Sequence, residues 1–222
     1  RVRVVGIGHQ DVVDLPQDVP PQGRRLRVPE HAVAEARIPV RIRNVFNPEN
    51  PGTLIADWQE AASKDVVKAV AMIRDVAMIN IKGAAMVGAP GSYAKVLDVL
   101  GKSNINVMMI SAAVSEANVS LIIRRNLLGR ALSALEIALL GRGMVSEITD
   151  EDDVCVIAAM GANMKGTPGV ASRIFTALAK KGINIRMIAQ GSSELNISFV
   201  VKEKDGEAAV RAIHEEFKLD KM

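Results

Sequence analysis

Two glycine-rich stretches hold the residue types best placed for chemistry. Residues 82–93 read KGAAMVGAPGSY and residues 160–171 read MGANMKGTPGVA, and each runs into a segment whose apolar spacing predicts a helix. Glycine lets the backbone come close to a ligand. The unpaired N–H groups of a helix's first turn face whatever lies in front of it, so such loops suit an anion. Phosphate is disfavoured, because neither loop has the length or the Lys-Ser/Thr ending of a phosphate-cradling loop. A small carboxylate fits better, with Gly88, Ala89, Pro90, Gly91 and Ser92 around the first loop and Gly169 and Val170 at the second. The field of a helix end contributes about 0.3–1 kcal/mol, and roughly 2 kcal/mol when partly buried.

Other reactive residues are scattered. His9, His31 and His214 lie far apart in the chain, and Cys155 sits within an apolar run, as a core thiol would. They suggest neither a triad nor a metal cluster, so no catalytic residue and no metal site is expected. The GIG at 6–8 follows RVRVV but lacks a third glycine and a following helix, so it reads as a turn. Among 222 residues the net charge is +3, and the basic spots RRLR (24–27) and Arg124–Arg125 are too short to track a nucleic acid. No apolar run reaches the roughly 18–20 residues needed to span a bilayer. No basic start is followed by an apolar signal region. The expectation is a cytoplasmic protein without membrane or nucleic-acid partners.

The elements that position the loops come in two copies. With a constant shift of 78, residues 83–123 align to 161–201 without a gap, and sixteen of the 41 positions are identical. Each copy opens on a β-branched run, VAMINIK (76–82) or VCVIAAM (154–160), that predicts a buried strand. A helix follows each loop, with Tyr93, Val96, Leu97 and Leu100 or Ala171, Ile174, Phe175 and Leu178 on its apolar stripe. NINVMMIS and GINIRMIA are second strands, while NVSLII and NISFVV are third strands. A second helix carries Leu128, Ala131, Leu132, Leu135 and Leu139 in the first copy, and Ala209, Val210, Ile213 and Phe217 in the second.

A βαββαβ unit needs one more strand. The first copy has MVSEIT (144–149), but only five residues follow Phe217 in the second. The run VVKAVAMI (66–73) ahead of the first copy is the expected substitute. The fold class is therefore α+β: two ferredoxin-like βαββαβ units, the first inserted into the second. The expected organisation is a leader with the end of a preceding domain and linker (1–53), a first unit (76–149), and a second unit built from 54–75 plus 150–222. RNA recognition by stacked aromatics is disfavoured, since Phe199 is the sole aromatic on these strands.

The G-x-P-G loop, the helix after it and the I-N-I/V-x-M-I strand resemble the ACT domain, a small-molecule sensor. The second copy, with the inserted arrangement, resembles the tandem ACT region of the aspartate kinase family more closely. Upstream, IPVRIRNVFNPENPGTLI (38–55) resembles the end of that family's kinase domain and its linker. Asn44, Phe46, Pro48, Pro51, Gly52 and Thr53 match its N-T-F-x-P-x-x-P-G-T pattern, with Val45 in place of Thr. The family's K-F-G-G-[ST]-S phosphate motif is absent, residues 1–30 do not match its kinase pattern, and its His-Pro segment is unrecognisable around His31.

The resemblance implies a regulatory region that binds lysine or threonine as feedback inhibitor and is inactive as a kinase by itself. ATP and Mg would belong to the parent enzyme's kinase domain, with no cofactor in this chain. The effector's ammonium is expected at the second strands, beside Asn106, Val107, Met108 and Ile110 or Asn184, Ile185 and Gln190. Arg186 is expected to repel that ammonium, which makes the first copy the better binder. The implied partners are the amino-acid effector, a catalytic kinase domain or subunit, and a second copy joined through the ACT sheets. The alternative is a stand-alone ACT regulatory subunit of another amino-acid biosynthetic enzyme.

Overall fold

The structure, a computed structural model, describes residues 2–4, 40–42, 46–47, 49–50, 52–55, 65–86, 89–112 and 118–219. Three short strands precede the repeats: β1 (Val2–Val4), β2 (Val40–Ile42) and β3 (Thr53–Ile55). The chain divides into two compact bodies, one spanning Asp14–Asp65 and the other built from Arg1–Val13 and Val66–Met222. In the former, β2 and β3 pair antiparallel, Val40 opposite Ile55 and Ile42 opposite Thr53. Gly52 precedes β3 with a left-handed φ of 70°, and its N–H donates to Asn50 Oδ1 at 2.8 Å. Asn44, Val45, Pro48 and Pro51 of the linker pattern lie outside the described residues.

The larger body contains both repeats. In chain order it runs β4 (Ala69–Lys82), α1 (Ser92–Lys102), β5 (Met109–Ala112), β6 (Asn118–Arg124) and α2 (Leu128–Leu135), which continues into a π turn at Glu136–Leu140. Then come β7 (Glu147–Met160), α3 (Val170–Lys180), β8 (Met187–Gln190), β9 (Asn196–Lys202) and α4 (Gly206–Phe217). All strand pairs are antiparallel, in the order β5-β6-β4-β7-β9-β8, with β1 beside β4.

The first repeat is inserted into the second, and two long strands do the joining. On β4, Ala69–Ile73 pair with residues 156–160 and complete the second repeat's sheet, while residues 76–82 pair with β6 in the first. Residues 147–149 of MVSEIT and the whole of VCVIAAM form one strand, β7, instead of two. The intervening polar residues include no glycine or proline to break the pairing. The two closures are equivalent: Ser146 N–H donates to Lys82 O and Lys68 N–H to Met160 O, both at 2.7 Å. Where β4 passes between repeats its register shifts twice, and Asp75 takes a φ of 57°. A bulge of this kind increases the local twist.

That twist stacks the half-sheets. β5 and β8 stand at opposite ends of the strand order yet touch. Between the half-sheets lies a buried layer of eight residues, each of the first four matched 78 positions on: Val76 with Val154, Met78 with Val156, Met109 with Met187, and Ile122 with Val200. Alternate residues point the other way. Ile79, Ile81, Val119, Leu121 and Ile123 pack under α1 and α2, and Cys155, Ile157, Ala159, Ile197, Phe199 and Val201 under α3 and α4. The helix stripes are narrower than the sequence spacing suggests. Val96 and Leu100 are buried with Val99 beside them, while Tyr93 and Leu97 stay 40 % exposed. In α3, Val170 and Ala177 join Ile174 and Leu178 in the core, and Ala171 and Phe175 are only partly buried.

Candidate functional site

Each loop ends on a glycine in the left-handed region, Gly91 (φ 77°) before α1 and Gly169 (φ 85°) before α3. That geometry is what the Pro-Gly pairs supply, since a β-carbon is strained there. The repeats build the turn alike: Ala89 N–H donates to Met86 O and Thr167 N–H to Met164 O, at 3.4 and 3.0 Å. Ser92 does not offer its backbone N–H to a ligand as the sequence suggested. The N–H donates to Ala89 O at 3.3 Å and the hydroxyl to the same oxygen at 2.7 Å. Among the described residues, the first-turn amides without an acceptor are those of Tyr93 and Ala94. Val170 also differs from expectation: at 6 % exposure it is a core residue. Gly88 lies outside the described residues.

The second strands carry the other predicted residues. Asn106 and Asn184 are exposed at equivalent positions just before β5 and β8. Val107 packs toward the helix-side core of the first repeat, Ile185 toward that of the second, and Met108 against the layer between the sheets. Ile110 is 42 % exposed on edge strand β5, as Ile188 is, at 43 %, on β8. Gln190 ends β8 and is exposed.

Electrostatics separate the repeats. Gly166 N–H, in the second loop, donates to Glu194 Oε2 at 2.7 Å, so that loop already holds a carboxylate from its own chain. Glu194 reaches it from a φ of 57°. Arg186 is not a free cation, since it pairs with Glu151. That hydrogen bond, helped by the carboxylate's charge, holds its guanidinium above its ordinary value. Arg186 therefore does not stand as a free cation against a ligand's ammonium. Arg125 pairs with Glu203 in the same manner, one residue from each repeat. Burial pushes the Cys155 thiol up to about 11, which suits a core residue and not a nucleophile. No group of three His, Cys, Asp or Glu among the described residues is placed to hold a metal. No helix there is long and apolar enough to cross a membrane.

A cleft of about 260 Å³ opens beside the first loop, on the helix side of the sheet. Ala89, Pro90 and Ser92 form one wall, and Leu139, Gly143 and Met144 another. Asn106, Val107, Met108 and Ile110 do not reach it.

The ACT domain family matches residues 79–139 and again 157–217, the same 78-residue shift. A solved structure of the regulatory subunit of aspartate kinase from Thermus thermophilus, in ligand-free form, is 31 % identical with a TM-score of 0.60, and the match covers 68 % of this chain and 99 % of that one. The chain belongs to the regulatory ACT family of aspartate kinases. The aspartate kinase of Clostridium acetobutylicum superposes with a TM-score of 0.76 at 30 % identity, over 83 % of this chain and 42 % of that enzyme. The chloroplastic bifunctional aspartokinase/homoserine dehydrogenase 1 of Zea mays is 38 % identical over 195 residues, which are 85 % of this chain and 21 % of that protein. The chain thus spans about a fifth of the length of that relative.

Within this aspartate kinase regulatory fold, sequence reasoning missed Glu194 and Glu151. A signal existed for Glu194, because Glu116 and Glu194 are among the positions shared by the repeats. Nothing in the spacing marked Glu151 as the partner of Arg186.

Proposed function

We propose that this chain is the amino-acid-sensing region through which lysine or threonine inhibits an aspartate kinase, the enzyme that phosphorylates L-aspartate with ATP and Mg in a kinase domain. The observation that carries this reading is the start of α1, where the Tyr93 and Ala94 amides have no acceptor among the described residues, on an aspartate kinase regulatory fold. In the second loop Gly166 N–H donates to Glu194 Oε2, and the equivalents of both, Gly88 and Glu116, lie outside the described residues. An effector carboxylate would be held at the Tyr93 and Ala94 amides, which face out of the first turn of α1. Asn106, exposed at the start of the second strand, is the side chain assigned to the effector's ammonium. Binding that favours one arrangement of the repeats transmits about 1–3 kcal/mol to the kinase, enough for strong inhibition.

Two further parts of the reading concern assembly. A homodimer through the exposed edges of β5 and β8 would cover Ile110 and Ile188, which an apolar sheet edge favours. The catalytic partner can be a kinase domain on the same chain or a separate subunit. The near-complete match to separate regulatory subunits supports the latter as a second reading. The compartment we assign is the cytoplasm.

Parallel calorimetric titrations with L-lysine, L-threonine and L-methionine test the proposal. Saturable binding of lysine or threonine is expected, about tenfold weaker in Asn106→Lys and unchanged in Asn184→Lys. Absence of binding by both amino acids, or an effect of Asn184→Lys that equals that of Asn106→Lys, would overturn it. A 24 kDa particle in light scattering would remove the dimer.

A further inference from the structure

In the second repeat the equivalent of the cleft's Lys95 is held by an ion pair. Position 95 is Lys in the first repeat, and its equivalent 78 residues on is Arg173. Arg173 Nε donates to Glu216 Oε1 at 2.9 Å, its Nη2 donates to Glu216 O at 3.1 Å, and its guanidinium lies 4.1 Å from the centre of the Phe217 ring. Leu219, two residues past Phe217, is fully buried in the second repeat's core. The equivalents in the first repeat are Ala138, Leu139 and Gly141, so the carboxylate, the ring and the leucine are replaced by smaller or apolar groups.

What remains there is the 260 Å³ cleft, lined by Met86, Lys95, Val96, Leu139, Met144 and Val145 among others. The helix is also different at this point. α4 runs regularly through Phe217, whereas α2 passes into a π turn at Glu136–Leu140, with Gly141 N–H donating to Glu136 O at 2.8 Å. Wide turns of that kind occur often at functional sites. Among the described residues, Lys95 pairs with no carboxylate, although the second repeat shows where one belongs.

We propose that this cleft is a binding site for a short aliphatic carboxylate, whose acid group takes against Lys95 the place that Glu216 takes against Arg173. Its hydrocarbon body would lie among Met86, Val96, Leu139 and Val145. The volume falls below the roughly 300 Å³ at which pockets for drug-sized ligands begin, so the ligand is a small acid and not a nucleotide. An α-ammonium has no side-chain carboxylate to meet among the described lining residues, which separates this ligand class from the amino acids assigned to the Asn106 side.

The test uses isovalerate as the probe and isovaleramide as its uncharged twin, titrated by chemical-shift perturbation at constant ionic strength. Saturable binding of isovalerate is expected, with isovaleramide about tenfold weaker. Lys95→Gln should lose about tenfold, and Lys95→Arg should retain binding. Ala138→Glu should abolish it by building the second repeat's ion pair into the first. Because Ala138 is partly buried, its variant is judged beside exposed Lys95→Gln, with thermal melts to verify folding. Equal binding of acid and amide, no saturation, or indifference to Lys95→Gln overturns the proposal. Asn106→Lys should leave isovalerate binding unchanged and Lys95→Gln should leave the amino-acid titrations unchanged, so this proposal and the effector reading fail separately.

Discussion

In the first repeat, positions 77 and 128 hold Ala and Leu; 78 residues on, positions 155 and 206 hold Cys and Gly. A β-carbon added to Gly206 would stand 2.7 Å from Cys155 Sγ and 2.8 Å from Met72 Sδ, so the larger residue under the sheet requires the smaller one on the helix. Charge is exchanged in the same way. Arg125 and Glu203 occupy equivalent positions, and they meet each other where the repeats join. Identical residues there would oppose like charges. One backbone plan therefore carries two different sets of side chains, matched in pairs. The consequence for function is that the second repeat ties up Arg173 with Glu216, while among the described residues the equivalent Lys95 lines an open cleft with no carboxylate partner.

Core truncation should expose the largest difference between the repeats. Phe199 is fully buried and meets Phe175 edge to face, with centroids 6.1 Å apart; its equivalent is fully buried Leu121. Phe199→Ala should cost about 3–5 kcal/mol and Leu121→Ala about 2–5 kcal/mol, with the aromatic pair placing Phe199 higher. Chemical denaturation measures both. A smaller loss at Phe199 would mean that the second core relaxes into the cavity better than the first.

The glycines under the closing strands give the next effect. A β-carbon on Gly161 would lie 2.0 Å from Val66 O, and one on its equivalent Gly83 would lie 2.8 Å from Val145 Cα. Overpacking costs typically 1–3 kcal/mol, and Gly161→Ala should fall at about the top of that range, above Gly83→Ala. Parent-like denaturation of Gly161→Ala would contradict the path of residues 66–73 over the second repeat, and with it the insertion.

Much of this fold can be read from the chain. The 78-residue shift gave both units, and the shortage of residues after Phe217 pointed to VVKAVAMI as the missing strand. The fusion of MVSEIT with VCVIAAM was not readable, because the exposed polar residues between them look like a turn until β4 pairs alongside. The site was readable only in outline. Gly91 and Gly169 were visible as turn residues, but the direction of the Ser92 N–H depends on local backbone geometry that composition does not encode. Partners distant in sequence, such as Arg186 with Glu151 or Arg173 with Glu216, come together only through packing.

The matched volumes at 155 and 206 predict non-additivity. Gly206→Leu should cost about 1–3 kcal/mol in the parent and less in Cys155→Ala, which recreates the first repeat's pair and leaves only Met72 Sδ to give way. Cys155 adds a pH signature. Its folded value, pushed up to about 11, stands above the ordinary 9.0, so the unfolded chain loses this proton first. The associated stability is complete below pH 9 and falls as pH rises to 11, by about 2–3 kcal/mol in all. Cys155→Ala should lack that component. Identical alkaline slopes for parent and variant would count against a desolvated thiol.

The smallest effect concerns the charge exchange at the junction. Arg125 and Glu203 have side chains 34 % and 29 % exposed, and Arg125 Nε also lies 3.4 Å from Val76 O. Solvent screens a pair so placed, and its removal should cost only about 0.2–1 kcal/mol. Reversal is more informative than removal. Arg125→Glu opposes two carboxylates and Glu203→Arg two guanidinium groups, so each single variant should lose about 1 kcal/mol, less at high salt. The double variant restores opposite charges and should recover most of that loss, though not the contact of Arg125 with the Val76 carbonyl. A double-mutant cycle by urea denaturation at low and high salt separates these contributions. Additive single losses, with no recovery in the double variant, would show that the residues act through their own surroundings. The charge exchange between the repeats would then have no part in holding the junction together.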